Sequence, residues 1–455
     1  MRHAKLILIF AAALVALISA SAATTNSLVW NTTEDRVTAD VRGEALWPLL
    51  DDIAHQTGWH IFVEPGIDRK ADAKFKDLPR GEALKNLLGD LNYAFVPQTN
   101  GPDFLYVFAT VMRNATRQVN EAVGLGKANA PGRHVANELL VKVKPGTDIE
   151  ALAKALGAKI IGRDDKLGLY RLKFEDAAAA EAALGKLKSN PDVATVDYNY
   201  LYDPPVAPQL LNNAPVGPVK LSLNPPGDSG QVIVGLVDTG IQSLGSDLDK
   251  FILKQISVAG DSNLSSTDPT HATGMAETIL RAMAAQGGST SAQILPVDVY
   301  GSDTMASTWN VALGIQQAIN GGANPINLSL GTSSDSAILD QIIQDGQAQG
   351  IVFFAAAGNQ PVATPTYPAA LPGVNAVAAT QGNQLAPYSN YGSFISLGLP
   401  GASVVYLGGQ AWVVQGTSPA TAYASGVAAG AKSTTSMTWP QILSTMQQRF
   451  PVPQK

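Results

Sequence analysis

The chain has 455 residues, 45% hydrophobic and 15% charged, which is enough apolar material for several packed domains. Its net charge of −6 supplies no basic footprint for nucleic acid. It contains no cysteine, which excludes disulfide scaffolds, thiolate metal sites, cysteine nucleophiles and cysteine-linked lipid anchors.

The N-terminus opens with Arg2 and Lys5, then an apolar run over residues 6–18, then Ala20-Ser21-Ala22. The run is short for a bilayer span, which takes about 20 apolar residues. With small residues behind it, it predicts a cleaved export signal over 1–23 and a periplasmic or secreted protein.

Residues 26–110 read as a small α/β module with an internal echo. Arg42-Gly43-Glu44-Ala45-Leu46 recurs as Arg80-Gly81-Glu82-Ala83-Leu84. Each copy opens a helical apolar pattern: Leu46, Leu49, Leu50 and Ile53, then Leu84, Leu87, Leu88 and Leu91. Strands are predicted over 60–63, 93–96 and 104–108. This pattern resembles the short N-terminal domain of bacterial secretins and TonB-dependent receptors, which implies contact with an envelope protein. Residues 111–133, small and polar and ending Ala130-Pro131-Gly132-Arg133, read as a linker.

Residues 134–203 form a second small unit. Strands at 139–143, 169–174 and 193–196 alternate with helices at 148–156 and 177–187 within a β-α-β-β-α-β plan. That order resembles the propeptide domain of subtilisin-like proteases, which implies an intramolecular inhibitor. Residues 204–229 are rich in Pro and Asn, and read as an exposed linker where a processing cut would fall.

From residue 230 to 455, strand and helix alternate. Near-continuous apolar runs at 232–237, 294–300, 326–330 and 351–355 predict strands buried on both faces. Helices are expected at 274–285, 309–319 and 337–349. The fold class is therefore α/β, a mostly parallel sheet flanked by helices, preceded by two small α+β domains.

The chemistry lies in this last part. Residues 206–455 hold a single histidine, His271, and no Asp or Glu follows Asp345. Asp238 ends a predicted strand in Val237-Asp238-Thr239-Gly240, at the carboxyl edge where open parallel sheets place their sites. Asp-Thr-Gly also signs aspartic proteases, but those need two such carboxylates. The second candidate, Asp228-Ser229-Gly230, has no strand before it. Gly227-Asp228-Ser229-Gly230 likewise mimics the chymotrypsin nucleophile motif but precedes the α/β region. His271 heads a predicted helix. Ser418 follows Gly416-Thr417, with Pro419 at the expected first helical position. A serine hydroxyl needs an adjacent base held by a carboxylate to become a nucleophile. Asn359, in Ala357-Gly358-Asn359, offers an amide to an oxyanion. The bland readings, a turn Asp, a core His, a capping Ser and a turn Asn, each hold for one residue alone.

Together these motifs resemble a subtilisin-like serine protease, in the chain order Asp238, His271, Asn359, Ser418, with gaps of 33, 88 and 59 residues. The resemblance implies a triad of Asp238, His271 and Ser418, an oxyanion hole with Asn359, and substrate pairing along Ser329, Leu330 and Gly331. It implies no cofactor for the chemistry and a structural calcium with no assignable ligands, Asp247, Asp249, Asp261 and Asp268 being merely acidic. The implied partners are a peptide or protein substrate and the chain's own propeptide. Departures from the family pattern are Ala272, Gly274, Glu277, Pro419 and Ala422. They motivate an alternative, an inactive relative that binds envelope peptides.

Overall fold

The computed structural model describes residues 26–454 apart from 33, 65–66, 68, 97–102, 110–116, 120–132, 204, 212–219, 226–229, 263 and 266–267. The expected signal at 1–23 and the pair Asp228-Ser229 lie outside the described residues. Two compact units result, Met1–Asn129 and Ala130–Lys455.

In the first unit, β1 (Ser27–Asn31), β2 (Arg36–Ala45) and β4 (Lys70–Pro79) form an antiparallel sheet. A second sheet has the order β5 (Asn92–Val96), β6 (Phe104–Phe108), β3 (His60–Val63), β7 (Arg117–Val119). The helices are α1 (Leu46–Thr57) and α2 (Arg80–Leu88). Leu46, Leu49, Leu50, Ile53, Leu84, Leu87 and Leu88 are buried together, as the helical spacing requires. The echo is not structural, however. Its first copy ends β2, with Gly43 at φ 60°, whereas its second copy begins α2. Leu91 falls beyond α2, which stops at Gly89. Strand β7 pairs with β3 from inside the expected linker.

The second unit begins with β8 (His134–Val143), α3 (Ile149–Leu156), β9 (Lys159–Asp164), β10 (Leu169–Lys173), α4 (Ala177–Lys188) and β11 (Val193–Tyr202). Asp148 and Asp176 cap α3 and α4 by accepting from Ala151 N and Ala179 N. Three short strands come from later in the chain: β12 (Gln209–Leu211), β13 (Ser222–Leu223) and, beyond β14 (Ile233–Asp238), β15 (Ile256–Ser257). Helix α5 (His271–Ala284) then leads through β16 (Ser289–Thr290), β17 (Gln293–Asp298) and β18 (Ala306–Ser307) to α6 (Thr308–Asn320). Strand β19 (Ile326–Leu328), α7 (Ala337–Ala348) and β20 (Phe353–Ala356) follow. The chain continues with β21 (Asn375–Gln381), β22 (Gln384–Leu385), β23 (Leu397–Pro400), β24 (Ala402–Leu407) and β25 (Gln410–Gln415), and closes with α8 (Thr417–Thr434) and α9 (Trp439–Arg449).

The main sheet runs β15-β17-β14-β19-β20-β21-β22, with β23 also on β21, and every pairing except β21 with β22 is parallel. Side chains alternate across it. Val237 joins α6 and α7 in one core, while Val234 and Leu236 join α5 in another.

Strand pairing and helix capping both tie residues 134–203 to this sheet domain. β11 lies between β8 and β18, so one five-stranded sheet spans both. β11 also caps two helices: Asn199 Oδ1 accepts from Trp309 N of α6 at 3.1 Å, and Asp197 Oδ2 from Ala337 N of α7 at 2.8 Å. The expected linker at 204–229 is not free either, since β12 pairs with β25.

Candidate active site

Asp238 is the last residue of β14 and is 1% exposed. Its Oδ1 accepts from Thr239 N at 2.7 Å, and both oxygens lie within 2.9 Å of His271 Nδ1. That contact places a proton on Nδ1 and leaves Nε2 as the basic nitrogen. His271 is 5% exposed and is the first residue of α5, as the sequence predicts.

The helix start is fixed by side chains. Thr270 caps it, accepting from Thr273 N. Gln242 Oε1 accepts from Thr270 N at 2.7 Å and from Thr273 Oγ1 at 2.7 Å, and Thr239 Oγ1 accepts from Ala272 N at 3.0 Å. The loop after Asp238 is thus stitched to the turn that carries the imidazole. Sequence reasoning missed Gln242, because its partners stand 28 and 31 positions away.

Ser418 is the second residue of α8, behind Gly416 and Thr417, so Pro419 is the third rather than the first. The first turn still tolerates it, since no N–H there has a helical partner. Ser418 Oγ donates to Ser329 O at 3.3 Å, and Ser329 Oγ donates to Ser418 O at 3.2 Å. Behind them, Asn327 Nδ2 donates to Ser329 Oγ and Ser425 Oγ to Asn327 Oδ1. Among the described hydrogen bonds, none joins Ser418 to His271.

Asn359 Oδ1 accepts from Thr417 N at 2.8 Å and from Thr417 Oγ1 at 3.1 Å, which seats this side chain against the serine turn. Gly416, at φ 141°, holds a backbone conformation that residues with a side chain rarely adopt, and a Cβ there would make a tight 3.1 Å approach to Asn359 Nδ2. Asn390 shapes the turn after Asn359, accepting from Gln360 N at 2.8 Å and donating to Thr366 Oγ1 at 2.9 Å. Ser329 is thus brought to the serine. Leu330 instead buries its side chain in the core.

Residues 229–449 match the Subtilase family, and residues 120–199 match the Fervidolysin N-terminal prodomain. A thermophilic serine proteinase of Bacillus sp. strain AK1 is 30% identical over 321 residues, covering 66% of this chain and 78% of that protein. The chain belongs to the subtilase family. The thermostable alkaline protease of Halalkalibacterium halodurans is 34% identical over 212 residues, 44% of this subtilase and 56% of the relative's length. The crystal structure of fervidolysin from Fervidobacterium pennivorans, a keratinolytic enzyme related to subtilisin, shares the fold at TM-score 0.50 and 20% identity, covering 67% and 55% of the two chains. This subtilase is accordingly a serine-type endopeptidase made with an N-terminal prodomain.

Its departures from the family pattern leave these contacts intact. Glu277 is buried on α5, accepting from Tyr406 N of β24 and, at 2.8 Å, from Arg281 Nη2. Burial pushes its carboxyl up, against the hydrogen bond from Tyr406 and the pull of Arg281. Gly274 packs against Val414 of β25, and Ala422 is buried with α5 in the same core. Of the acidic residues considered for calcium, Asp249 already accepts from Ser243 Oγ, Leu244 N and Gly245 N. Among the described residues no three metal-ligating side chains cluster.

Proposed function

We propose that Ser418 is the nucleophile, His271 the general base and Asp238 the residue that orients it. The observation that carries this is the buried contact of His271 Nδ1 with both Asp238 oxygens, at the sheet edge that also holds the Ser418 turn. Ser418 Oγ rotates from Ser329 O to His271 Nε2 as substrate binds, and gives up its proton as it attacks the scissile carbonyl. The imidazolium then donates to the leaving amine, stabilised by the Asp238 carboxylate. Asn359 Nδ2 and Ser418 N hold the oxyanion, the latter aided by the N-terminal end of α8. Ser329, Leu330 and Gly331 offer backbone to an extended peptide. This chemistry needs no cofactor, and calcium is proposed only as a structural ion.

The prodomain inhibits by staying docked through β11 until it is cut away. The protein is exported, to the periplasm or beyond, with the signal at 1–23 removed. Residues 26–110 are a secretin- or TonB-receptor-like module that contacts an envelope protein. Support for that contact comes from one face of the second sheet, where Phe62 stacks on Tyr106 at 5.2 Å and His60 on Phe104 at 5.7 Å, all four partly exposed.

One comparison tests the enzyme. The wild type should react with a fluorophosphonate and yield a shortened product, and Ser418→Ala should do neither. The resting bond from Ser418 to Ser329 favours a second reading, an inactive peptide binder. Normal peptide binding by a wild type that forms no acyl-enzyme would select it.

A further inference from the structure

We infer that Glu277 is a positioning residue for catalysis: from the helix that carries His271, it grips the hairpin that leads into Ser418. The inference rests on the proposed triad. Glu277 takes no part in the proton transfers, yet it is a buried carboxyl on α5, about 9 Å along the helix from the imidazole.

The hairpin of β24 and β25 is a single piece that ends at the serine turn. Ala402 pairs with Gln415, and Gly416 N donates to Gly401 O at 2.9 Å, so its base closes just before Thr417 and Ser418. Its tip is a two-residue turn of Gly408 and Gly409, at φ 59° and 75°. In such a hairpin the pair flanking the turn exchanges hydrogen bonds and the next pair does not. Tyr406 and Ala411 are that next pair, so Tyr406 N faces away from β25. Strand β24 is the edge of its sheet, and no further strand receives this N–H. Glu277 Oε2 accepts from it instead.

Helix and hairpin meet in matching order. His271, Gly274, Glu277 and Arg281 lie on one side of α5. A Cβ on Gly274 would stand 2.8 Å from Val414 Cγ1, in the strand that runs on to Ser418. One turn further, Glu277 holds Tyr406 N. Beyond it, Arg281 lies 5.2 Å from the Tyr406 ring centre and donates to Glu277 Oε1 at 2.8 Å. The rest of the interface is apolar, with Val405, Trp412 and Val414 packed on Met275, Ala276 and Ile279. Such burial holds the hairpin down but has no direction. A hydrogen bond has one. Glu277 thus sets where along α5 the hairpin rests, and with it where the serine turn stands relative to the imidazole.

Two substitutions separate this role from mere space-filling. Burial pushes the Glu277 carboxyl up, so the charge is a cost here and the acceptor oxygen is the useful part. Glu277→Gln keeps an oxygen for Tyr406 N. Glu277→Met keeps the volume and loses the acceptor. The test is steady-state cleavage of a chromogenic peptide, with each variant expressed as the full chain and active sites counted by fluorophosphonate, so that misfolded protein drops out of kcat. A small misplacement of reacting groups is costly, so kcat should fall about tenfold or more in Glu277→Met, with KM within about twofold, and stay within about threefold of wild type in Glu277→Gln. Tyr406→Pro removes the same donor from the hairpin side, at an edge position that admits proline, and should repeat the Met loss. It decides the matter if Glu277→Met does not fold. Wild-type kcat in Glu277→Met, an equal loss in the Gln and Met variants, or wild-type kcat in Tyr406→Pro overturns the inference and leaves the triad standing. A wild type that takes up no fluorophosphonate overturns both.

Discussion

Asn359 has two jobs on opposite ends of one amide. Its oxygen accepts from Thr417 N and Oγ1, fixing the turn before Ser418, and its nitrogen is the proposed oxyanion donor. Asn359→Asp separates them, since a carboxylate keeps the acceptor and loses the N–H. The expected outcome is a kcat lowered by about 10²–10³, with KM and Tm little changed, the usual cost of one such donor; steady-state kinetics with a peptide substrate checks it. Asp238, His271, Asn359 and Ser418 could be picked from the sequence because each sits in a short motif at a strand end or helix start. Gln242, Asn327 and Asn390 could not. They act on backbone and side chains that only folding brings close, and nothing beside them in the sequence marks that duty.

At the level of elements, the distance between the imidazole and the serine depends on how α5 meets α8. Small residues set that approach. A Cβ on Gly426 of α8 would collide with the Ile279 carbonyl of α5 and stand 2.7 Å from Ala282 Cβ. Backbone cannot move aside as a side chain can. Gly426→Ala gains about 1 kcal/mol of helix propensity, but overpacking costs about 1–3 kcal/mol and displaces one helix. Overpacking should win: Tm falls, and kcat falls with it because His271 and Ser418 ride on the two helices. Thermal melts and kinetics on the same preparation decide the matter, and a variant with raised Tm would refute the argument. The helices and central strands of this region follow from continuous apolar runs and 3.6-residue spacing. Strands β2 and β4 escaped notice because they alternate polar residues on a half-exposed sheet, Lys-Ala-Asp-Ala-Lys-Phe-Lys in β4, where pairing and not propensity decides. The apparent repeat at Arg42 and Arg80 misled for a related reason, since identical letters end a strand in one place and start a helix in the other.

On the scale of the whole second unit, the prodomain is held by groups whose charge is costly. Burial pushes the Asp197 carboxyl up, outweighing its bonds from Ser336, Tyr198 N, Tyr200 and Ala337 N. Asp203 is raised by burial too, against the opposing pull of Arg133. A carboxyl raised in the docked state contributes stability that is complete below its ordinary value and is lost as pH climbs through the raised one. These groups therefore favour docking in acid and weaken it toward neutrality. In a Ser418→Ala background, Asp197→Asn should lower Tm most at about pH 4, and the gap should narrow by about pH 7. A gap that widens with pH would contradict the assignment. The order of the parts, module, prodomain, enzyme, was legible in the alternation of elements. The shared sheet was not, because β18 is only two residues long and its pairing with β11 spans more than a hundred positions.

That shared sheet has a consequence for how the enzyme is switched on. While the chain between β11 and β12 is whole, prodomain and enzyme meet at an effective concentration set by a tether of a few residues, in the millimolar range for short linkers. One peptide bond cut between the two would turn the same contacts into a bimolecular equilibrium, in which the prodomain is only as abundant as the enzyme it came with. Dilution into the surroundings then does the work of activation, and no contact between the two has to be redesigned to let go.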